Sequence, residues 1–169
     1  KLIPVESDEG GVMLDKLEEA IKEHHPKLFY IIPSFQNPSG RTLAADRRKP
    51  IYELAKKYGF IVMEDDPYRD LRYTGEHLPT IKSFDTTGHV VYMGSFSKII
   101  SPGLRVGFLV AEKDILRKCT IGKQGTDLHT PNLNQAIVDL FLRRGMLEGH
   151  IESIIPAYRE KMELMLDEL

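Results

Sequence analysis

Short apolar runs alternate along this chain with stretches whose apolar residues recur every three or four positions, and the two rhythms predict alternating strands and helices. Residues 2–5 read as a possible strand. Met13, Leu17, Ala20 and Ile21 share one helical face, and Pro26 closes that element. The run "LFYII", residues 28–32, reads as a buried strand ending at Pro33 in the polar loop "PSFQNPSGR". The next helix runs to about Tyr58 on a stripe of Ile51, Leu54, Ala55 and Tyr58, with Gly59 as its stop; Pro50 either kinks it or marks a restart. "FIVMED" (60–65), "HVVYMG" (89–94) and "LRVGFLV" (104–110) are further strands. Thr130 and Pro131 open a helix that ends near Gly145, and residues 150–169 form a long amphipathic helix with Pro156 near its beginning.

This alternation implies an α/β fold, a three-layer α/β/α sandwich around a mostly parallel sheet. The connection into strand 104–110 is too short for a helical crossover, so that strand is expected antiparallel to its neighbour. Residues 1–149 read as part of a larger domain and residues 150–169 as the start of a helix leaving it. The sequence begins without methionine and stops in helical rhythm, which suggests an excerpt of a longer protein.

Composition narrows the class. The 169 residues are 41% hydrophobic and 28% charged, as in soluble globular proteins, with no apolar run long enough to span a bilayer. Net charge is −2, so no global basic field invites nucleic acid or acidic lipid. The single cysteine, Cys119, excludes an internal disulfide and any multi-cysteine metal cluster, and suits a reducing compartment such as the cytoplasm.

Three strands end in polar punctuation, at "SFQNPSG", "EDDPY" and "GSFSK". In an open parallel sheet the carboxyl ends of strands share one edge, and ligands bind just outside it. Asn37, Asp65, Tyr68 and Lys98 are therefore expected to share one pocket. Each has an ordinary reading on its own: Asn37 before Pro38 as turn chemistry, Asp65 and Asp66 as a solvated loop, Tyr68 as half-buried packing, Lys98 and Arg105 as surface charges, and Ser95 and Ser97 as turn residues. Their shared location shifts the balance.

The three motifs "PSFQNPSG", "EDDPYRDLRY" and "GSFSKIISPGLRVGF", in this order and at these separations, resemble the fold type I pyridoxal-phosphate aminotransferases of class I and II. The resemblance implies a Schiff base between Lys98 and pyridoxal 5'-phosphate, with the freed lysine then moving the substrate Cα proton. It implies that Asp65 pairs with the pyridine nitrogen, that Asn37 and Tyr68 hydrogen-bond the phenolic oxygen, and that Ser95, Ser97 and Arg105 bind the phosphate. It also implies amino-acid and 2-oxo-acid substrates and a homodimer, with no membrane and no nucleic acid contacted through this segment.

Within the family, "SFQNPSG" and "DDPYRDLRY" are most similar to the subgroup of 2-aminoadipate, kynurenine and aromatic or branched-chain aminotransferases. The alternative is an aminotransferase-like sensor domain of a winged-helix transcription regulator. The string Ser95-Phe96-Ser97-Lys98 also spells the S-x-x-K of penicillin-recognising enzymes, but the S-D-N element is absent and a strand, not a helix start, precedes the serine. The family's stacking aromatic, its second phosphate-binding turn and its substrate arginine find no match here, so the excerpt alone is expected to be inactive.

Overall fold

Eleven elements follow one another in a computed structural model that describes every residue from Lys1 to Leu169. They are β1 (Ser7–Asp8), β2 (Gly11–Val12), α1 (Leu14–His24), β3 (Leu28–Ile31), α2 (Ala45–Tyr58), β4 (Ile61–Asp65), β5 (Val90–Ser95), β6 (Gly107–Val110), α3 (Lys113–Thr126), α4 (Asn132–Arg143) and α5 (Leu147–Asp167), with single 3-10 turns at Lys82–Phe84 and Pro102–Leu104. The chain divides into two compact units. The first comprises Lys1–Asp66, Leu78–Gly94 and Leu109–Cys119, the second Pro67–His77, Ser95–Phe108 and Thr120–Leu169.

The main sheet has the order β3-β4-β5-β6 and is mixed and mostly parallel, as the sequence pattern implies, with β3–β4 and β4–β5 parallel. Register pairs Tyr30 with Met63 and Asp65 with Met93. Because side chains alternate along a strand, this register puts Phe29, Ile31, Val62, Glu64 and Val90 on one face and Tyr30, Met63 and Asp65 on the other. The first face packs with α1 and α2 into the core of the first unit, where Ile51, Ala55, Val62, Ile81 and Val90 are wholly buried. Each large aliphatic side chain so buried contributes about 1.5–3 kcal/mol. Helix α2 stops where Gly59, at φ 72°, turns left-handed and its N–H closes on the Ala55 carbonyl at 2.8 Å.

The second unit is built around Phe96, Ile99, Val106 and Val138, with Leu147 and Ile151 of α5 packed on them. No helix of the chain is long and apolar enough to cross a membrane.

Several expectations are corrected. Residues 2–5 are not a strand: Leu2 is exposed and Pro4 lacks a donor for a ladder. The first pairing comes instead from the two-residue hairpin β1–β2, whose turn is fixed by the Gly10 N–H donating to Asp8 Oδ1 at 2.8 Å. Pro50 does not mark a restart: α2 is one helix with Pro50 inside it. Its buried residues are Arg48, Ile51, Tyr52 and Ala55, with Leu54 and Tyr58 partly buried against the same core, and the Tyr52 hydroxyl lies 3.1 Å from each of the Thr86 and Thr87 hydroxyls. Strand 104–110 starts only at Gly107, since Leu104 closes a 3-10 turn and Arg105 is left-handed at φ 55°. Helix α3 is additional to the predicted elements; Gly122 and Gly125 within it weaken its helical signal.

Candidate cofactor site

In the first unit, β3 delivers the chain into the loop that carries Asn37. That loop braces itself: Leu43 N–H donates to Pro33 O at 2.8 Å, closing its neck, and Gln36 N–H donates to Arg41 O at 2.8 Å across its tip. The Gln36 side chain donates to the Asn37 carbonyl at 2.7 Å and accepts from Ser39 N–H at 3.0 Å, and the Asn37–Pro38 peptide is cis. Asn37 is exposed at the tip.

A fully buried guanidinium holds the neck from beneath. Arg48 donates through Nε and Nη2 to Leu43 O, each at 3.2 Å, through Nη2 to Pro33 O at 3.0 Å and through Nη1 to Pro79 O at 2.9 Å. A charge at such a depth requires an anionic neighbour, and Glu64 of β4 is the buried carboxyl on that side of the sheet. Glu64 accepts from Ile81 N–H at 2.7 Å and Lys82 N–H at 2.8 Å. Burial pushes its carboxyl up to about 6, the two backbone donors oppose this, nearby Asp66 adds to it and Arg48 opposes it.

One residue further along β4, on the opposite face, stands Asp65. Its Oδ2 accepts a hydrogen bond from the Tyr30 hydroxyl at 2.7 Å. Strand β5 is launched by Asp85, whose Oδ1 accepts from the N–H groups of Thr87, Gly88 and His89 and whose Oδ2 accepts from Val90 N–H and Lys82 Nζ. Burial of Asp85 resists ionisation, but Lys82 and these backbone donors together outweigh it and bring the carboxyl down to about 2. Gly88 within this turn has φ 79°, and a Cβ there would lie 2.9 Å from Glu112 Cγ.

In the second unit, the residues after β5 alternate between anchoring and presenting. Phe96 and Ile99 are buried, and Phe96 N–H donates to Val106 O at 3.1 Å. Between and beside them Ser95, Ser97 and Lys98 are held outward. Ser97 N–H donates to Ser95 Oγ at 3.1 Å, and Arg105 Nη1 reaches Ser97 Oγ at 3.4 Å and Pro102 O at 3.3 Å. The left-handed turn at Arg105 aims this guanidinium back toward the serines, and Asn134 Nδ2, donating to Leu104 O at 2.8 Å, pins the turn. Lys98 Nζ stands 6.0 Å from the centre of the Tyr68 ring, at the limit of a cation–π contact.

Of the seven residues singled out by sequence, Asn37 and Asp65 thus belong to the first unit and Tyr68, Ser95, Ser97, Lys98 and Arg105 to the second. The structure joins Ser95, Ser97 and Arg105 into one hydrogen-bonded group and places Lys98 beside Tyr68. Sequence reasoning missed Tyr30, Arg48 and Glu64. For Tyr30 the available signal was a hydroxyl-bearing side chain in an apolar strand; for Arg48, an arginine at helical spacing from Ile51, Tyr52 and Ala55.

Within the second unit, the hydroxyls of Ser95 and Ser97 and the forked cation of Arg105 are groups of the kind that hold a phosphate, and the exposed amine of Lys98 is of the kind that condenses with an aldehyde.

Comparison with known proteins gives three findings. The family model "Aminotransferase class I and II" matches residues 1–150. The aromatic-amino-acid aminotransferase 1 of Thermococcus litoralis is 41% identical across 100% of this chain and 42% of its own length, and the 2-aminoadipate transaminase of Thermus thermophilus is 42% identical across 100% of this chain and 43% of its own. A solved kynurenine aminotransferase of Pyrococcus horikoshii, in complex with PMP, superposes with a TM-score of 0.94 at 43% identity, covering 98% of this chain and 42% of that one. The chain therefore spans about two fifths of the length of these relatives.

Proposed function

Since this chain belongs to the family of class I and II aminotransferases, we propose that the full protein transfers an amino group between an α-amino acid and a 2-oxo acid with pyridoxal 5'-phosphate as its cofactor. The observation that carries the reading is the hydrogen-bonded group of Ser95, Ser97 and Arg105, with the exposed Lys98 next to Ser97 in the chain. Lys98 would hold the cofactor aldehyde through its amine, and Ser95, Ser97 and Arg105 would hold the phosphate. Asp65 would face the ring nitrogen, and Asn37 and Tyr68 would donate to the phenolic oxygen. When bound, the cofactor supplies an electron sink for the pair left at the substrate Cα. Lys98 Nζ would also be the group to take the substrate Cα proton and return it, a task that needs an amine on a short tether within reach of that carbon. Substrates of the 2-aminoadipate, kynurenine or aromatic type follow from the relatives' activities.

Residues 1–149 would supply part of the cofactor-binding domain, in a cytoplasmic homodimer. Leu133, Ile137 and Leu140 of α4 form an exposed apolar stripe, a surface of the kind a second subunit covers.

The test uses the full-length protein. Lys98→Ala is expected to lose the cofactor's visible absorbance and transaminase turnover with 2-aminoadipate or kynurenine and a 2-oxo acid; normal turnover in that variant overturns the mechanism. If the unaltered protein binds the cofactor and a specific DNA but turns nothing over, the regulator reading replaces this one. The named relatives above are enzymes, which favours catalysis.

A further inference from the structure

Tyr30 is a tyrosine whose packing does not explain it. It sits in the middle of β3, yet 55% of it is exposed, and it lies on the sheet face opposite the one that α1 and α2 cover. Its ring is not part of the first unit's core. What the side chain does make is a bond from its hydroxyl to Asp65 Oδ2 at 2.7 Å, spanning 35 residues of sequence. Register explains the reach: Tyr30 is opposite Met63, so Asp65 is its diagonal neighbour on the same face, at a separation that long aromatic side chains bridge.

We propose that Tyr30 is a positioning residue for Asp65, fixing the plane of its carboxylate so that Oδ1 is presented to the ring nitrogen of the cofactor. The inference rests on the reading of Asp65 given above and deepens it. The physical need is specific. The terminal torsion of an aspartate is broad and soft, so a carboxylate with a single partner turns freely about its Cβ–Cγ bond. A phenol has only two side-chain torsions of its own, and a hydrogen bond from it to a carboxylate is charge-assisted and short. Anchoring Oδ2 in this way leaves Oδ1 in one orientation before any ligand arrives, which is preorganisation of the kind that spares reorganisation during the reaction. On the other face, Arg48 of α2 and Glu64 of β4 hold the backbone at Pro33 and at Ile81, so that face is occupied by structural contacts while Tyr30 and Asp65 meet on the opposite one.

The test compares Tyr30→Phe, Asp65→Asn and the double variant in the full-length holoenzyme. Phenylalanine keeps the ring, and the side chain is exposed, so thermal stability is expected to stay within about 2 °C of the parent. Turnover should fall about tenfold or more, the loss expected for a hydrogen bond to a charged group, with the amino-acid KM little changed. The readout that a merely structural role would not move is the NMR shift of the ring nitrogen in isotope-labelled cofactor. It should move toward that of unprotonated pyridine in Tyr30→Phe, and further in Asp65→Asn. In the Asp65→Asn background, Tyr30→Phe should add nothing, since its effect passes through that carboxylate. If Asp65→Asn shifts the nitrogen signal and Tyr30→Phe leaves both signal and turnover unchanged, the proposal fails while the site assignment stands. If Asp65→Asn itself changes neither, the assignment of Asp65 is wrong and the proposal falls with it.

Discussion

Replacing Arg48 by methionine should show how much of the Asn37 loop is held from below. Methionine has similar reach and no charge, so the substitution removes the polar contacts with little change of volume. Four hydrogen bonds to three carbonyls disappear. Pro33 O keeps its bond from Leu43 N–H at 2.8 Å, but Leu43 O and Pro79 O lose the guanidinium. Each buried carbonyl left unpaired costs about 1–3 kcal/mol, so the two left here cost about 2–6 kcal/mol together. For a chain of this size, about 2–4 °C per kcal/mol places the melting temperature roughly 10 °C lower.

The pH dependence supplies a second signature. Glu64 is raised from 4.5 to about 6 in the folded state. A carboxyl raised on folding contributes stability that is fully present below its unfolded value and is lost as pH rises through the folded one. In the unaltered chain that loss, about 2 kcal/mol, runs between about pH 4.5 and 6. Without Arg48 the Glu64 carboxyl rises further, so the destabilisation by Arg48→Met should be larger at pH 8 than at pH 5. Thermal melts followed by circular dichroism at both pH values measure it. A variant within about 2 °C of the parent at pH 8 would refute the account of the carbonyls held by Arg48, and one equally destabilised at both pH values would refute the influence of Arg48 on Glu64.

Other outcomes follow from the same contacts. Asp85 is held down to about 2, so its contribution is present above 3.8 and lost as pH falls toward 2; Asp85→Asn should flatten the acid side of the stability profile and lower stability at neutral pH, read by the same melts. Arg105→Lys in the full-length protein keeps the charge but not the fork, and cofactor affinity should drop about tenfold in equilibrium titration followed by absorbance. The 169-residue chain by itself, titrated with pyridoxal phosphate, should show no sustained transamination, and sustained turnover would mean that the active site is completed within it.

What could be read from the sequence were features written in neighbouring residues. Apolar runs ending in "SFQNPSG", "EDDPY" and "GSFSK" became β3, β4 and β5, and Gly59 ended α2, because strand alternation and a left-handed helix cap are local requirements. The pairing of Tyr30 with Asp65, and of Arg48 with the carbonyls of Pro33, Leu43 and Pro79, was not legible there. A sequence pattern shows that Arg48 lies on the same helical stripe as Ile51 and Ala55, where an arginine argues against burial, and only the folded chain supplies the carbonyls and the Glu64 carboxyl that make its burial tolerable. Likewise, which aspartate oxygen the phenol of Tyr30 meets depends on β3 lying beside β4 with Tyr30 opposite Met63, and strand order and register are set by packing between segments distant in sequence.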